Sequence, residues 1–158
     1  MSPSPGALEA EYSRKRVEAL QGVVPEQVIG ALSLNRRGHY TEKLLGRAGF
    51  LPWLLARAYA KKQAGGMPQN FMVAITPTKV RAFQYKARGR MRDRFEIGDE
   101  VAVWERAGLE VSWKPGPPYQ VDVTIKSPGE GEQVLCRCGR GDSSEQALRM
   151  MADPSVAA

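Results

Sequence analysis

Between residues 70 and 152 the chain passes through seven short β-patterned segments, each closed by turn residues, and then into one amphipathic helix. No other feature constrains the fold as much, because consecutive short strands at a spacing of roughly 8–12 residues build an antiparallel sandwich or barrel. The expected strands are 71–75, 80–86, 95–97, 101–105, 109–113, 119–125 and 133–138. Thr76, Pro77 and Thr78 give the first two a hairpin-length link, and Gly98 and Asp99 end the third. The sixth alternates cleanly, with Tyr119, Val121, Val123 and Ile125 inward and Gln120, Asp122, Thr124 and Lys126 outward. Asp142, Ser143, Ser144 and Glu145 resemble a capping box. Ala147, Leu148, Met150 and Met151 then supply the buried face of the closing helix, which Pro154 ends.

The early strands are apolar on both sides. Val80 and Ala82 share one face of their strand while Phe83 and Tyr85 share the other, and Trp104 faces opposite Val101 and Val103. A sheet buried on both faces needs a second cover, and the N-terminal region is expected to provide it. Residues 1–66 read as helical after a disordered tail at 1–6. The first helix, 7–21, carries a Glu11/Lys15 pair and a thin apolar stripe of Leu8, Tyr12, Val17 and Leu20. Pro25 opens a second helix over 25–34, with Val28, Ile29, Ala31 and Leu32 clustered. The most amphipathic helix spans 50–63, setting Phe50, Leu51, Trp53, Leu54 and Leu55 against Arg57, Lys61 and Lys62. Whether these helices cover the sheet in cis or mediate dimerisation stays open.

Seven strands and a terminal helix are also the order of pleckstrin-homology-like domains, in which two roughly orthogonal sheets leave a corner that the helix plugs. Residues 70–83, where an apolar strand ends in a Thr-containing turn and Lys79 opens the next, resemble the first hairpin of bacterial members. The resemblance covers about 70–152 and implies an α+β fold. Its core is a seven-stranded antiparallel pleckstrin-homology-like sandwich or barrel (67–158) with a C-terminal helix, preceded by the helical region. Phosphoinositide-binding members carry basic residues across the first two strands and their loop. Here the first strand has none, and Lys79 and Arg81 match the second-strand part of that pattern.

The indication of an anionic partner comes from charge, not from the resemblance. Net charge is +6, and residues 36–94 hold fourteen Lys or Arg against two acids, Glu42 and Asp93. Such segregation creates a field that attracts phosphates or acidic surfaces. Lys86, Arg88, Arg90, Arg92 and Arg94 occupy alternate positions around Gly89. They form a comb on one face if the strand continues, or fan around a tip if the chain turns there. With Lys79, Arg81, Arg57, Lys61 and Lys62 they make the expected ligand-binding basic patch.

Catalytic and metal chemistry find no support in the sequence. His39 is the single histidine and lies in a basic loop. Cys136 and Cys138, two apart in one strand, suit packing beside Val134 better than a disulfide or a zinc site. No apolar run reaches the ~20 residues needed to span a bilayer, and residues 1–16 lack a secretory apolar core. The reading is a cytoplasmic, non-enzymatic binding or adaptor protein without a cofactor, with peripheral contact at the inner membrane face as one option. Its basic surface would meet an acidic protein or an anionic membrane. Nucleic acid on the same residues, or a small ligand, is the alternative.

Overall fold

The computed structural model describes residues 4–36, 67–116, 118–127 and 133–156. Its first element, α1 (Pro5–Gln21), starts earlier than the apolar stripe suggests. Ser4 accepts a hydrogen bond from the Ala7 amide, and proline at the first helical position lacks only an amide that would have no partner there. Residues 4–6, expected in the tail, therefore cap and open the helix. After α1 the Gln21 side chain gathers the connector, donating to the Val24 and Glu26 carbonyls and accepting from the Val28 amide.

The expected helix over 25–34 is corrected by β1 (Gly30–Arg36). Val28, Ile29, Ala31 and Leu32 fit helical spacing, but so short an apolar run does not distinguish helix from buried strand. Tertiary pairing decides it. β1 is a central strand, paired with β2 (Asn70–Ile75) from Gly30↔Ile75 to Asn35↔Asn70 and with β7 (Gln133–Gly139) through Asn35↔Arg137 and Arg36↔Cys136. The helix expected over 50–63 lies outside the described residues.

β2 leads through Thr76, whose backbone amide bonds the Lys79 carbonyl and whose hydroxyl accepts from the Lys79 amide, into β3 (Lys79–Arg88). The next two expected strands are one, β4 (Arg94–Glu105). The pairing of β3 with β4 shifts register between Ala82 and Phe83 and again before Tyr85, so Gly98 and Asp99 bulge out of a strand that continues. β5 (Glu110–Pro115) and β6 (Gln120–Lys126) complete a seven-stranded antiparallel sheet of order β4-β3-β2-β1-β7-β6-β5. The fold is thus α+β with seven antiparallel strands, as expected, but the seventh is β1 and the third and fourth are fused. Tyr119, expected inward on β6, sits before that strand with a left-handed backbone (φ 61°) and is 84% exposed.

The final helix, α2 (Asp142–Ala152), touches β1, β2 and β5. β5 is the sheet's edge and β1 its middle, so the sheet curls around the helix. The main core lies inside that curl: Leu32 and Leu34, Phe71, Val73 and Ile75, Val80, Val123 and Ile125, with Leu148 and Met151 of α2. All four apolar residues expected on this helix are buried. Its start departs from the expected capping box. Gly141 is the N-cap and offers no side chain; instead the Glu9 carboxylate of α1 accepts from the Ser143 amide (3.1 Å) and hydroxyl (2.6 Å). A Cβ at residue 141 would collide with that carboxylate, so glycine is a steric requirement of the contact.

Arg106 holds the other end. It is 2% exposed, and its guanidinium donates to the carbonyls of Met150 (2.6 Å), Asp153 (3.1 Å) and Val156, and to Pro77 at 3.4 Å. Helix C-terminal carbonyls have no partners within the helix, and a cation there also complements the dipole. Replacing Arg106 by Met should cost about 3 kcal/mol, because the buried Met150 carbonyl and three part-buried carbonyls lose a charged donor together. Chemical denaturation would measure this, and a variant as stable as wild type would remove Arg106 from the list of structural supports. Cys136 and Cys138 are buried with Val134, and burial pushes the Cys138 thiol from 9.0 to about 11. In native buffer near pH 8 a thiol reagent should therefore react only on unfolding. The raised folded value also means that the unfolded thiol ionises first. The contribution of this thiol to stability should be full below pH 9.0 and be lost as pH rises toward about 11.

Candidate functional site

The curl buries one face of β1, β2 and β3, and α1 covers the other. Along that outer face β1 presents Ala31, Ser33 and Asn35, opposite Ala74, Met72 and Asn70 of β2. β3 continues the rows with Arg81, Phe83 and Tyr85. Leu20, Val24 and Val28 close over Ala31, Met72, Ala74 and Phe83 in a second core, with Val17, Tyr85, Phe95 and Ile97 at its edge. The expected outer cover is present for Phe83 and Tyr85. Trp104 instead packs against the main core, paired with Val80.

Toward the N-terminus of α1 the rows turn polar, and the helix is held by its sides. Lys15 Nζ lies 2.8 Å from Asp93, and the Tyr12 hydroxyl donates to the Met91 carbonyl at 3.3 Å. Both partners belong to the β3–β4 turn. Between these clasps and the sheet opens a cleft of about 640 Å³, with Arg16, Ser33, Asn35, Asn70 and Tyr85 in its walls and Lys86, Arg88 and Arg92 at its mouth. Among the described residues no acidic side chain lines it. Arg16 lies over the Phe95 ring (5.7 Å), which meets Tyr85 edge-on at 6.1 Å. The Arg16 Nε and Ser33 Oγ are buried and have no hydrogen-bond partner among the described residues. Burial lowers the guanidinium's proton affinity; the charge of Glu9 offsets this only in part, and among the described residues no carboxylate lies within ion-pair distance of it.

The basic patch expected from sequence divides between the two ends of β3, about 30 Å apart at strand rise. At one end, Arg81 is enclosed by carboxylates: Glu26 receives two of its N–H groups (2.8 and 3.2 Å) and Glu100 a third (2.9 Å). These bonds hold Glu26 below the ordinary carboxylate range. Lys79 lies 4.0 Å from Glu105. At the other end the comb resolves into a tip. Arg88 pairs across strands with Arg94 and Lys86 with Glu96, while Arg90 and Arg92 lie in the turn. Gly89 (φ 91°) and Arg92 (φ 52°) are left-handed, a conformation that favours glycine at the first of them. Arg88 is 3.2 Å from Glu96; Lys86, Arg90, Arg92 and Arg94 have no carboxylate within ion-pair distance among the described residues. Met91 stands among them, 69% exposed. Arg57, Lys61, Lys62 and His39 lie outside the described residues.

Sequence reasoning overlooked Arg16. The signal was its position: Tyr12, Arg16 and Leu20 are spaced i, i+4, i+8, placing a cation within the stripe that faces the sheet. Among the described residues no three His, Cys, Asp or Glu side chains gather where a metal could sit.

The clasp should respond to acid. Lys15 holds the Asp93 carboxyl below its ordinary 3.8, so the tie persists above that value and is lost as pH falls through the depressed one. Amide exchange at residues 89–93 should accelerate on acidification to that range in wild type. An Asp93→Asn protein should already exchange fast at neutral pH. Equal exchange in the two proteins at neutral pH would show that the pair does not hold the turn.

Compared with known proteins, the chain matches no family model, no curated protein and no solved structure.

Proposed function

We propose that this is a non-enzymatic binding module that presents the β3–β4 tip to an anionic membrane surface. The observation that carries the reading is Met91, an apolar side chain 69% exposed at the apex of a turn bearing Arg88, Arg90, Arg92 and Arg94. Near an anionic bilayer each cation contributes about 1 kcal/mol, decaying over a Debye length. An apolar point between them can enter the headgroup region while the guanidiniums remain at phosphate level. No helix among the described residues is long and apolar enough to cross a membrane, so attachment of this kind would be peripheral.

Tyr85 and Phe95, the aromatics beside the tip, favour lipid over single-stranded nucleic acid. They pack on each other and under Arg16 rather than standing free, so they offer no stacking platform. The strand order, and a helix following β7 into the curl, support a pleckstrin-homology-like reading of the scaffold.

Sedimentation with vesicles tests the proposal. Wild type should pellet with phosphatidylglycerol vesicles and not with phosphatidylcholine. Reversing Arg88, Arg90 and Arg92 to Glu should abolish retention, and Met91→Ser should weaken it, with thermal stability little changed for exposed positions. Tighter binding to mixed-sequence DNA, with a log–log salt slope of several units, would favour nucleic acid instead. If neither is bound at about 150 mM salt, where screening is physiological, the membrane reading is overturned.

A further inference from the structure

We infer that the cleft beneath α1 is a second site, built to hold the phosphate group of a small molecule. Its mouth shares Lys86, Met91 and Arg92 with the tip, but its inner walls, Arg16, Ser33, Asn35 and Asn70, take no part in the membrane reading. A half-buried arginine over an aromatic ring normally meets a carboxylate, and Arg16 meets none among the described residues. Leaving its Nε and the Ser33 hydroxyl without acceptors is unfavourable unless something else supplies them.

The chemistry of the walls defines what that acceptor is. Arg16 is a planar fork suited to paired anionic oxygens. Ser33, Asn35 and Asn70 add neutral donors along one edge, and Lys86 and Arg92 add charge at the mouth. Among the described residues these three cations have no carboxylate within ion-pair distance and the lining holds no acid, which calls for more than one negative charge. A phosphate monoester supplies this with three terminal oxygens, whereas a single carboxylate leaves most of the donors unused. The volume, about 640 Å³, exceeds that of bare phosphate and leaves room for an organic portion.

Phenyl phosphate is the probe, with inorganic phosphate beside it. Titration calorimetry and thermal shift should show saturable binding of phenyl phosphate at about 1 mM or tighter and weaker binding of inorganic phosphate. Arg16→Met, which keeps the apolar stem over Phe95, should lose at least about tenfold in affinity. Its ligand-free melting temperature should stay close to that of wild type, because the removed group loses only its contact with the Phe95 ring while its Nε had no hydrogen-bond partner. Ser33→Ala should show a smaller loss in the same direction. An Arg90→Glu, Arg94→Glu protein, altered outside the cleft, should keep phenyl phosphate binding even where it loses vesicle retention. Two arms distinguish the source of the phosphate. If it is a lipid headgroup, phosphatidate vesicles are preferred over phosphatidylglycerol vesicles, and Arg16→Met erases the preference. If it is soluble, the variant loses only the small probe. No saturable binding by wild type overturns the proposal. So does an Arg16→Met protein that melts well below wild type and still binds the probe, which would make Arg16 a packing residue.

Discussion

Everything in this fold depends on one constraint: β1, β2 and β3 are apolar on both faces, and water must be kept from both. The sheet meets one demand by curling, so that β5–β7 and α2 close over Leu34, Phe71, Val73 and Val80. The other demand falls to α1 and the connector after it, through Leu20, Val24 and Val28. The apolar stripe of α1 is too thin to seal the whole outer face. Its N-terminal half is held by discrete polar ties, Lys15 to Asp93, Tyr12 to the Met91 carbonyl and Glu9 to Ser143, and not by a continuous seam. Where the stripe runs out, the sheet beneath turns to Ser33, Asn35 and Asn70, and the cleft opens. Cover and cleft are two outcomes of one sequence pattern.

The same economy shapes the charge. Part of the positive charge is neutralised locally: in the positive segment Arg81 by Glu26 and Glu100 and, on α1, Lys15 by Glu11 and Asp93. Acids that look scattered along the chain are brought to these partners by strand register. Among the described residues of that segment, the cations left without carboxylate partners gather at one end of the β3–β4 hairpin and around the cleft behind it.

How much of this was readable beforehand depended on the range of the interaction involved. Alternation along β3 assigned Val80 and Ala82 to one side and Phe83 and Tyr85 to the other, because a period of two is local. The buried face of α2 was legible for the same reason. β1 was not, since its Ala31–Leu32 stretch suits either period and only its pairing with β2 and β7 selects one. Gly98 read as a strand end because a bulge and a terminus use the same residue types. The tip was left as an alternative that cross-strand pairing of Arg88 with Arg94 resolves. Arg16 escaped because its importance lies in lacking a partner, which sequence does not display. The cap on α2 comes from Glu9, more than a hundred residues away, and no local motif encodes it.

The Arg106 contact has a consequence for how such a chain can drift. Every acceptor it engages is a main-chain oxygen, contributed by Pro77, Met150, Asp153 and Val156. The arginine reads the path of the backbone, and of the side chains along it only the Asp153 carboxylate adds to its hold, through charge. Neutral change can therefore rewrite the last residues while the position holding them stays fixed. A covariation search would find little partner signal for Arg106, although four carbonyls from two segments converge on it.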